Sequence, residues 1–298
     1  MSLMVASEES FVLGEGPVWD APRSRLLWVD IEAGLVLAGE LGSDGRIEVR
    51  SREAFDATVG AVAVAEDATL LVAAHDRLVV VTPEGTRQPG ARVVPDGEQR
   101  RMNDGKTDPA GRFLVGTLSL TGPTHRDVLC RLEPDGSLAV LDDDLMLSNG
   151  LGWSADGTRF YSTDTLDRVI WVRDYDVASG AVGERRALIR FDDGAGMPDG
   201  LCVDAEEHLW VAVWGAGEVR RYTPDGVLTR TLAVPAPHTT SVAFAGAGLD
   251  TLVITTASTR LSEEQLRANP DSGRLFTARV GVRGLPVAPW SGVSASRG

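Results

Sequence analysis

The stretch Ser148-Asn149-Gly150-Leu151-Gly152-Trp153 is followed, after a short turn, by the strand-like run Arg159-Phe160-Tyr161. This arrangement occurs six times: a turn-like opener, a short apolar run, a turn, and a second run that is mostly apolar, β-branched or aromatic. Short strands repeated at this period are typical of β-propeller blades. The openers, at intervals of 44, 44, 46, 50 and 41 residues, are Glu15-Gly16-Pro17, Val59-Gly60-Ala61, Asn103-Asp104-Gly105, Asn149-Gly150-Leu151, Asp199-Gly200-Leu201 and Thr240-Ser241-Val242.

A second repeat, out of phase with the first, marks hairpin tips between the outer strands of each unit. In such tripeptides Asp bonds its own backbone and Gly accepts a positive φ. The two phases together define about four strands per unit, so we predict an all-β, six-bladed β-propeller with four-stranded antiparallel blades. The tips are Ser43-Asp44-Gly45, Pro83-Glu84-Gly85, Pro134-Asp135-Gly136, Ala178-Ser179-Gly180 and Pro224-Asp225-Gly226.

The chain of 298 residues is expected to form one propeller domain, residues 1–298, with no linker left over. The last unit lacks an outer strand, and the composition of Glu8 to Leu13 suits an N-terminal strand that closes the ring. One segment departs from the strand pattern. Ser262-Glu263-Glu264-Gln265 has the form of a capping box and predicts a short helix that ends before Pro270.

Charge and the absence of targeting signals restrict the partners. With 29 Lys and Arg against 43 Asp and Glu, the net charge of −14 argues against nucleic acid or an anionic membrane as a partner. Met1 to Ser10 lacks the basic and apolar parts of a secretory signal, and Cys130 and Cys202 fit reduced core residues. We therefore expect a cytoplasmic protein that is a monomer or a weak homo-oligomer.

Four openers carry polar side chains that suit a metal site. Residues in the same phase of successive blades lie at the same radius and height, so Glu15, Asn103, Asn149 and Asp199 are expected to meet at one mouth of the central channel. Each alone could be an ordinary turn residue. Together, two carboxylates and an amide oxygen suit Ca²⁺, Mg²⁺ or Mn²⁺, with Zn²⁺ less favoured without Cys or His ligands. Three protein ligands leave coordination positions open for water and substrate.

The third opener lies in an unusually polar segment, Arg101-Met102-Asn103-Asp104-Gly105-Lys106. A solvated, charged turn is the ordinary interpretation of such a segment. Because Asn103 is in phase with the other openers, Arg101 and Asn103 are instead expected to project over the metal. There they could hold substrate hydroxyls or a developing oxyanion.

These residues resemble those of the senescence marker protein, regucalcin and gluconolactonase family of six-bladed propellers, over nearly the whole chain. The resemblance implies a divalent metal held by Glu15, Asn149 and Asp199, with Asp199 also accepting and donating the proton, and with Arg101 and Asn103 contacting a sugar lactone. The motifs that carry it are Gly14-Glu15-Gly16-Pro17-Val18-Trp19, Arg101 to Lys106, Asp108-Pro109-Ala110-Gly111-Arg112, Ser148 to Ser154, Pro198-Asp199-Gly200 and Val282-Arg283-Gly284-Leu285-Pro286.

One departure from the family pattern concerns the substrate. Members that bind sugars carry an acidic residue shortly after the Gly-Thr that follows the third opener, whereas the segment from Gly116 to Gly122 has none, and Thr121 takes the equivalent position. A hydroxyl group accepts a hydrogen bond less strongly than a carboxylate does. We therefore expect Thr121 to contact the substrate with reduced strength.

The sequence as a whole predicts divalent-metal-dependent hydrolysis of a sugar-derived lactone, an aldonolactone of carbohydrate oxidation. One alternative is an esterase or lactonase of the same type acting on another ester, an aryl or a phosphate substrate. Another is a non-catalytic, calcium-binding protein like regucalcin. An open coordination position flanked by Arg101 favours catalysis, because passive metal sites tend to be closed by protein ligands.

Overall fold

In the computed structural model, which describes residues 3–292, nearly all the regular structure is β-strand. The first eight strands are β1 (Leu3–Val5), β2 (Gly14–Asp20), β3 (Arg25–Asp30), β4 (Leu35–Leu41), β5 (Ile47–Ala54), β6 (Val59–Val64), β7 (Leu70–Ala74) and β8 (Arg77–Val81). The next eight are β9 (Arg87–Arg92), β10 (Arg100–Thr107), β11 (Phe113–Ser119), β12 (Asp127–Leu132), β13 (Leu138–Leu145), β14 (Ser148–Trp153), β15 (Arg159–Asp164) and β16 (Val169–Asp174). The last eight are β17 (Arg186–Arg190), β18 (Met197–Val203), β19 (Leu209–Trp214), β20 (Glu218–Tyr222), β21 (Leu228–Ala233), β22 (His238–Ala245), β23 (Thr251–Ala257) and β24 (Phe276–Arg279).

The strands assemble into an all-β propeller, but the predicted division into six four-stranded blades is wrong. Among the described residues only four sheets are separate and four-stranded: β2–β5, β6–β9, β10–β13 and β14–β17. The other eight strands form one continuous sheet in the order β1-β24-β23-β22-β19-β20-β21, with β18 paired to β19. The two halves of this sheet join because β19 pairs with β22 through Trp214 and His238. The spacing of the sequence repeats gives the number of repeating units, but it does not show which units are joined by hydrogen bonds between their strands.

An N-terminal strand does complete the last part of this sheet, but its position differs from the prediction. The outer strand is β1, which pairs antiparallel with β24, Leu3 opposite Ala278. The predicted segment, Glu8 to Leu13, is instead a loop, because the backbone N–H groups of its last two residues donate to the carboxylate of Asp30. The single-domain prediction for residues 1–298 extends beyond the described residues at both ends and stays a prediction.

The local turn and helix predictions are confirmed. Each predicted hairpin tip joins the third and fourth strands of its unit, and the glycines of the five tips have φ between 73° and 88°. Ser262 caps a short helix, α1 (Glu263–Ala268), through a capping box with Gln265. A 3₁₀ turn, Ala21–Arg23, links β2 and β3.

The innermost strands surround the channel, and the core lies between neighbouring sheets. The strands β2, β6, β10, β14, β18 and β22 contact one another in turn, and β22 returns to β2. Trp28 and Trp210 are fully buried between sheets, and both cysteines, Cys130 and Cys202, are buried and unpaired as predicted. No helix in residues 3–292 is long and apolar enough to cross a membrane.

We expect the buried Asp30 to hold the entry to β2. Its carboxylate accepts hydrogen bonds from the backbone N–H groups of Val12, at 2.9 Å, and Leu13, at 3.0 Å. Asp30→Ala should lower the free energy of unfolding by at least about 2 kcal/mol, because two backbone donors lose a charged acceptor. Asp44→Ala, at an exposed hairpin tip, should change it by less than about 0.5 kcal/mol. Equal losses for the two variants in urea denaturation would contradict this role.

Candidate functional site

Each opener lies where its innermost strand departs from regular pairing. A β-bulge re-aims side chains and is common beside functional sites. At the first opener Glu15 Oε2 accepts the N–H of Gly16 at 2.8 Å, and at the fourth Asn149 Oδ1 accepts the N–H of Gly150 at 3.2 Å. The six register shifts lie between Glu15/Val18, Val59/Val62, Met102/Gly105, Asn149/Leu151, Pro198/Leu201 and Thr239/Ser241.

The opener glycines let neighbouring innermost strands approach closely. A Cβ atom at Gly150 would collide with the backbone oxygen of Asp199, and one at Gly60 would collide with the backbone oxygen of Asn103. Gly150 also has a positive φ of 22°. The glycine of one unit therefore makes room for the opener of the next, and this brings the polar side chains of separate sheets together.

The structure brings the three predicted metal ligands together. Glu15 on β2, Asn149 on β14 and Asp199 on β18 are all buried and line one cavity of about 80 Å³ at a mouth of the channel. Asn149 Nδ2 donates to Asp199 Oδ1 and to Thr165 Oγ1, and the carboxyl of Glu15 lies near enough to that of Asp199 to raise its pKa. Their convergence follows from the common phase of the openers, and their roles stay predictions.

The carboxyl groups of this cluster are buried and repel one another, and both effects raise their pKa values. Burial, and then the neighbouring Asp104, raise the pKa of Glu15 from 4.5 to about 8. Burial, and then Glu15 and Asp104, raise the pKa of Asp199 well above its usual value. Burial also raises the pKa of Asp104. Buried carboxyl groups that repel one another favour either protonation or a bound cation.

The donor set fits a hard divalent cation. Carboxylate and amide oxygens are the ligands that Ca²⁺, Mg²⁺ and Mn²⁺ prefer. Within residues 3–292 no three His, Cys, Asp or Glu side chains are grouped as a metal site, so a site here needs the amide oxygen of Asn149 beside the carboxylates. That oxygen accepts one backbone N–H and keeps a second lone pair.

Arg101 and Asn103, on β10, line the same cavity. Arg101 Nη1 donates to Asn103 Oδ1 at 2.8 Å and to the Met102 oxygen at 2.9 Å, while Asn103 Nδ2 donates to the Ser148 oxygen at 3.0 Å. Burial is the main reason that the pKa of Arg101 falls to about 10, which still leaves the guanidinium charged at neutral pH. Asn103 thus orients Arg101 and retains one N–H and one lone pair for a substrate.

Thr121, the remaining predicted substrate contact, lies away from this cluster. It is exposed on the turn that follows β11, and its hydroxyl lies 3.2 Å from Ser119 Oγ. Leu118, on β11, lines the cavity. Thr121 is not among the described residues that line it. Contact between Thr121 and a substrate stays a prediction.

Sequence reasoning missed two residues of β10, Asp104 and Lys106. Lys106 Nζ donates to the Leu151 oxygen at 2.9 Å and to the Leu201 oxygen at 2.8 Å, so it ties β10 to the strands that carry Asn149 and Asp199. Its charge also counteracts the raised pKa of Asp104. A compositional signal could have revealed it, because it is the only lysine among 29 Lys and Arg residues.

Comparison with known proteins identifies the family of this chain. The family model described as "SMP-30/Gluconolactonase/LRE-like region" matches residues 13–258. The chain is 33% identical to regucalcin of Gallus gallus over 292 residues, covering 95% of this chain and 96% of the relative. It is 34% identical to pentonolactonase XacC of Haloferax volcanii over 293 residues, covering 96% and 97%. The solved structure of a regucalcin from Agrobacterium tumefaciens, described as a calcium-binding protein, matches with a TM-score of 0.90 at 29% identity, covering 96% of each chain.

The raised pKa of Glu15 predicts how pH affects the stability of the metal-free protein. In the unfolded chain the carboxyl loses its proton near pH 4.5, whereas in the folded chain it does so only near pH 8. The folded state therefore holds an extra proton between these values, so its stability should fall as pH rises from about 5 to 8. Glu15→Gln should show a smaller fall. Thermal unfolding with a chelator present tests this, and identical slopes for both proteins would contradict it.

Lys106 should stabilise the channel through its charged hydrogen bonds. Lys106→Met keeps the length of the side chain but leaves the Leu151 and Leu201 oxygens without this donor, so it should lower the free energy of unfolding by about 2–4 kcal/mol. Lys106→Arg should not restore stability, since its bulkier planar head does not fit between the two carbonyls. Arg267→Met, on exposed α1, is the control. If Lys106→Met has the same free energy of unfolding in urea as the wild type, Lys106 does not stabilise the channel.

Proposed function

Because this chain belongs to the SMP-30/gluconolactonase/LRE-like family, we propose that it hydrolyses a sugar-derived lactone with the help of one divalent metal ion. The observation that carries the proposal is the convergence of Glu15, Asn149 and Asp199 from three sheets on one buried cluster. The name of the pentonolactonase relative supports the substrate class. The substrate would be an aldonolactone formed by oxidation of a sugar, and the product the open hydroxy acid.

Glu15, Asn149 and Asp199 would hold the metal, whether it is calcium, magnesium, manganese or zinc. The bound ion would polarise the lactone carbonyl and offset the negative charge that develops during attack. The hydrogen bond from Asn149 Nδ2 to Asp199 Oδ1 fixes the orientation of both side chains, so the ligand oxygens are held before an ion arrives. Such preorganisation avoids a reorganisation cost during the reaction.

Asp199 would move the proton. It accepts a proton from the water that attacks the carbonyl carbon, and it returns that proton to the ring oxygen as the ester C–O bond breaks. Water and lactone thus give one hydroxy acid, with no other reactant. The position of Asp199 suits this task, because burial and the nearby Glu15 raise its pKa well above the usual range.

Arg101 and Asn103 would position the lactone. The guanidinium of Arg101 is charged and held by Asn103 Oδ1 at 2.8 Å, which leaves its other N–H groups to donate to a substrate oxygen. Asn103 is itself anchored to the Ser148 oxygen of the neighbouring innermost strand, β14. A rigid donor near the reacting ester holds the substrate in an orientation suited to attack.

Asp199→Asn tests the proposal most simply. The amide keeps an oxygen for the metal but accepts no proton, so turnover on an aldonolactone should fall at least ~10²-fold. Asp135→Asn and Asp225→Asn, at exposed hairpin tips, should keep wild-type turnover. The assay follows acid release after chelation and return of single metals.

Two outcomes would contradict the proposal. Full turnover by the wild-type protein after chelation of its metal would show that the reaction needs no metal. Tight metal binding without turnover on any lactone would indicate a non-catalytic binding protein instead.

A further inference from the structure

A second arginine, Arg260, lines the cavity that holds Glu15, Asp199 and Arg101. It lies exposed in the loop between β23 and α1, and its side chain makes no ion pair or hydrogen bond with any residue in the described range 3–292. Its charge nevertheless reaches the site. Burial is the main cause of the lowered pKa of Arg101, and repulsion from Arg260 adds to it. Two guanidinium groups therefore face one space.

The backbone that carries Arg260 is held in place. Arg260 has a φ of 61°, which is unfavourable for a residue other than glycine. Just before it, the N–H groups of Ser258 and Thr259 both donate to the Val12 oxygen, at 3.1 and 2.9 Å, and the Thr259 oxygen lies 3.0 Å from His238 Nδ1. An unfavourable backbone conformation persists only where its surroundings fix it.

The rest of the cavity wall is mainly apolar. The indole of Trp214 lines it and is stacked on His238, with ring centroids 3.9 Å apart and planes at 12°. Apart from the predicted metal ligands, Arg101 and Asn103, the polar side chains on the described wall are those of Thr165, Thr259 and Arg260. A wall of this kind offers few partners to a neutral, fully hydroxylated sugar. The aliphatic residues are Leu13, Ile31, Leu118, Leu147, Leu166 and Met197.

No acidic side chain of residues 3–292 forms an ion pair with Arg260. Glu32 Oε2 accepts the hydroxyl of Thr259 at 3.0 Å and forms no ion pair with any arginine of the described chain. The carboxylates of Glu15 and Asp199 are buried, and both are proposed metal ligands. On a protein of net charge −14 an anion is attracted only by such a local cation.

We propose that Arg260 binds a second anionic group, a carboxylate or a phosphate, that the substrate carries away from its ester. This inference rests on the proposed lactonase function and deepens it: the substrate is an acidic lactone. A guanidinium matches either anion with two parallel hydrogen bonds. The ester then lies over the metal ligands and the anion lies at the rim beside Trp214.

Three lactones of one ring size test the inference: a neutral aldonolactone, a lactone with a ring carboxylate and a lactone with a phosphate ester. Wild-type kcat/KM should be highest for one of the acidic lactones. Arg260→Gln should raise KM for that lactone about tenfold or more, which is the loss of a charged hydrogen bond, with kcat within about twofold. KM for the neutral lactone should stay within about twofold. The acidic lactone whose KM rises more in Arg260→Gln identifies the anion that Arg260 binds. Arg283→Gln, an exposed arginine outside the cavity, is the matched control.

Failure of the inference and failure of the proposed function give different results. If the wild-type protein hydrolyses the three lactones equally and Arg260→Gln changes none of them, the acidic-lactone inference is overturned while the lactonase stands. If the wild-type protein hydrolyses none of them with metal returned, the proposed function fails. Calorimetric binding of the acidic lactones then judges the inference, and equal affinity for the wild type and Arg260→Gln would overturn it.

Discussion

The site depends on buried carboxyl groups that repel one another: Glu15 and Asp199 line the cavity, and the charge of Asp104 acts on both. Glu15, Asp104 and Asp199 come from three innermost strands, and burial raises the pKa of each. Such a cluster persists as anions only where positive charge compensates it. Lys106 counteracts the raised pKa of Asp104, and Arg101 counteracts that of Glu15. We propose a divalent cation as the remaining partner, because its charge would offset the electrostatic cost of burying these groups.

The backbone prepares this cluster before any ligand is present. Bulges at the openers turn the side chains inward, and glycines such as Gly60 and Gly150 let neighbouring strands come within contact of the next opener. Lys106 then joins the strands that carry Asn149 and Asp199 through two backbone oxygens. The proposed ligands from separate sheets are thus held in place by the ring itself, and loss of one side chain should leave the propeller intact.

Much of this arrangement could be predicted from the sequence, because residues at the same position of successive repeats lie at the same radius and height around the channel. The openers predicted the convergence of Glu15, Asn149 and Asp199, and the Pro-Asp-Gly tips predicted the hairpins. The pairing of Trp214 with His238, which merges eight strands into one sheet, depends on contact between units and left no local signal. The choice of Leu3–Val5 as the outer strand depends likewise on Asp30, which holds the alternative segment in a loop.

Asp104 was missed for a specific physical reason. Adjacent residues of a regular strand point to opposite faces, so a sequence argument that directs Asn103 to the channel directs Asp104 away from it. The bulge between Met102 and Gly105 breaks that alternation, and both side chains are buried near the channel. Thr121 is exposed on a turn and is not among the described residues that line the cavity, so its predicted contact with a substrate stays a prediction.

Titration of the stripped protein with a divalent ion, with binding and lactone turnover measured on the same sample, tests whether this buried cluster is a catalytic metal site. If it is, turnover is absent at the start and rises in proportion to bound ion until one ion per chain is bound. Turnover that is already complete without metal, or that bears no relation to the bound ion, would contradict this assignment.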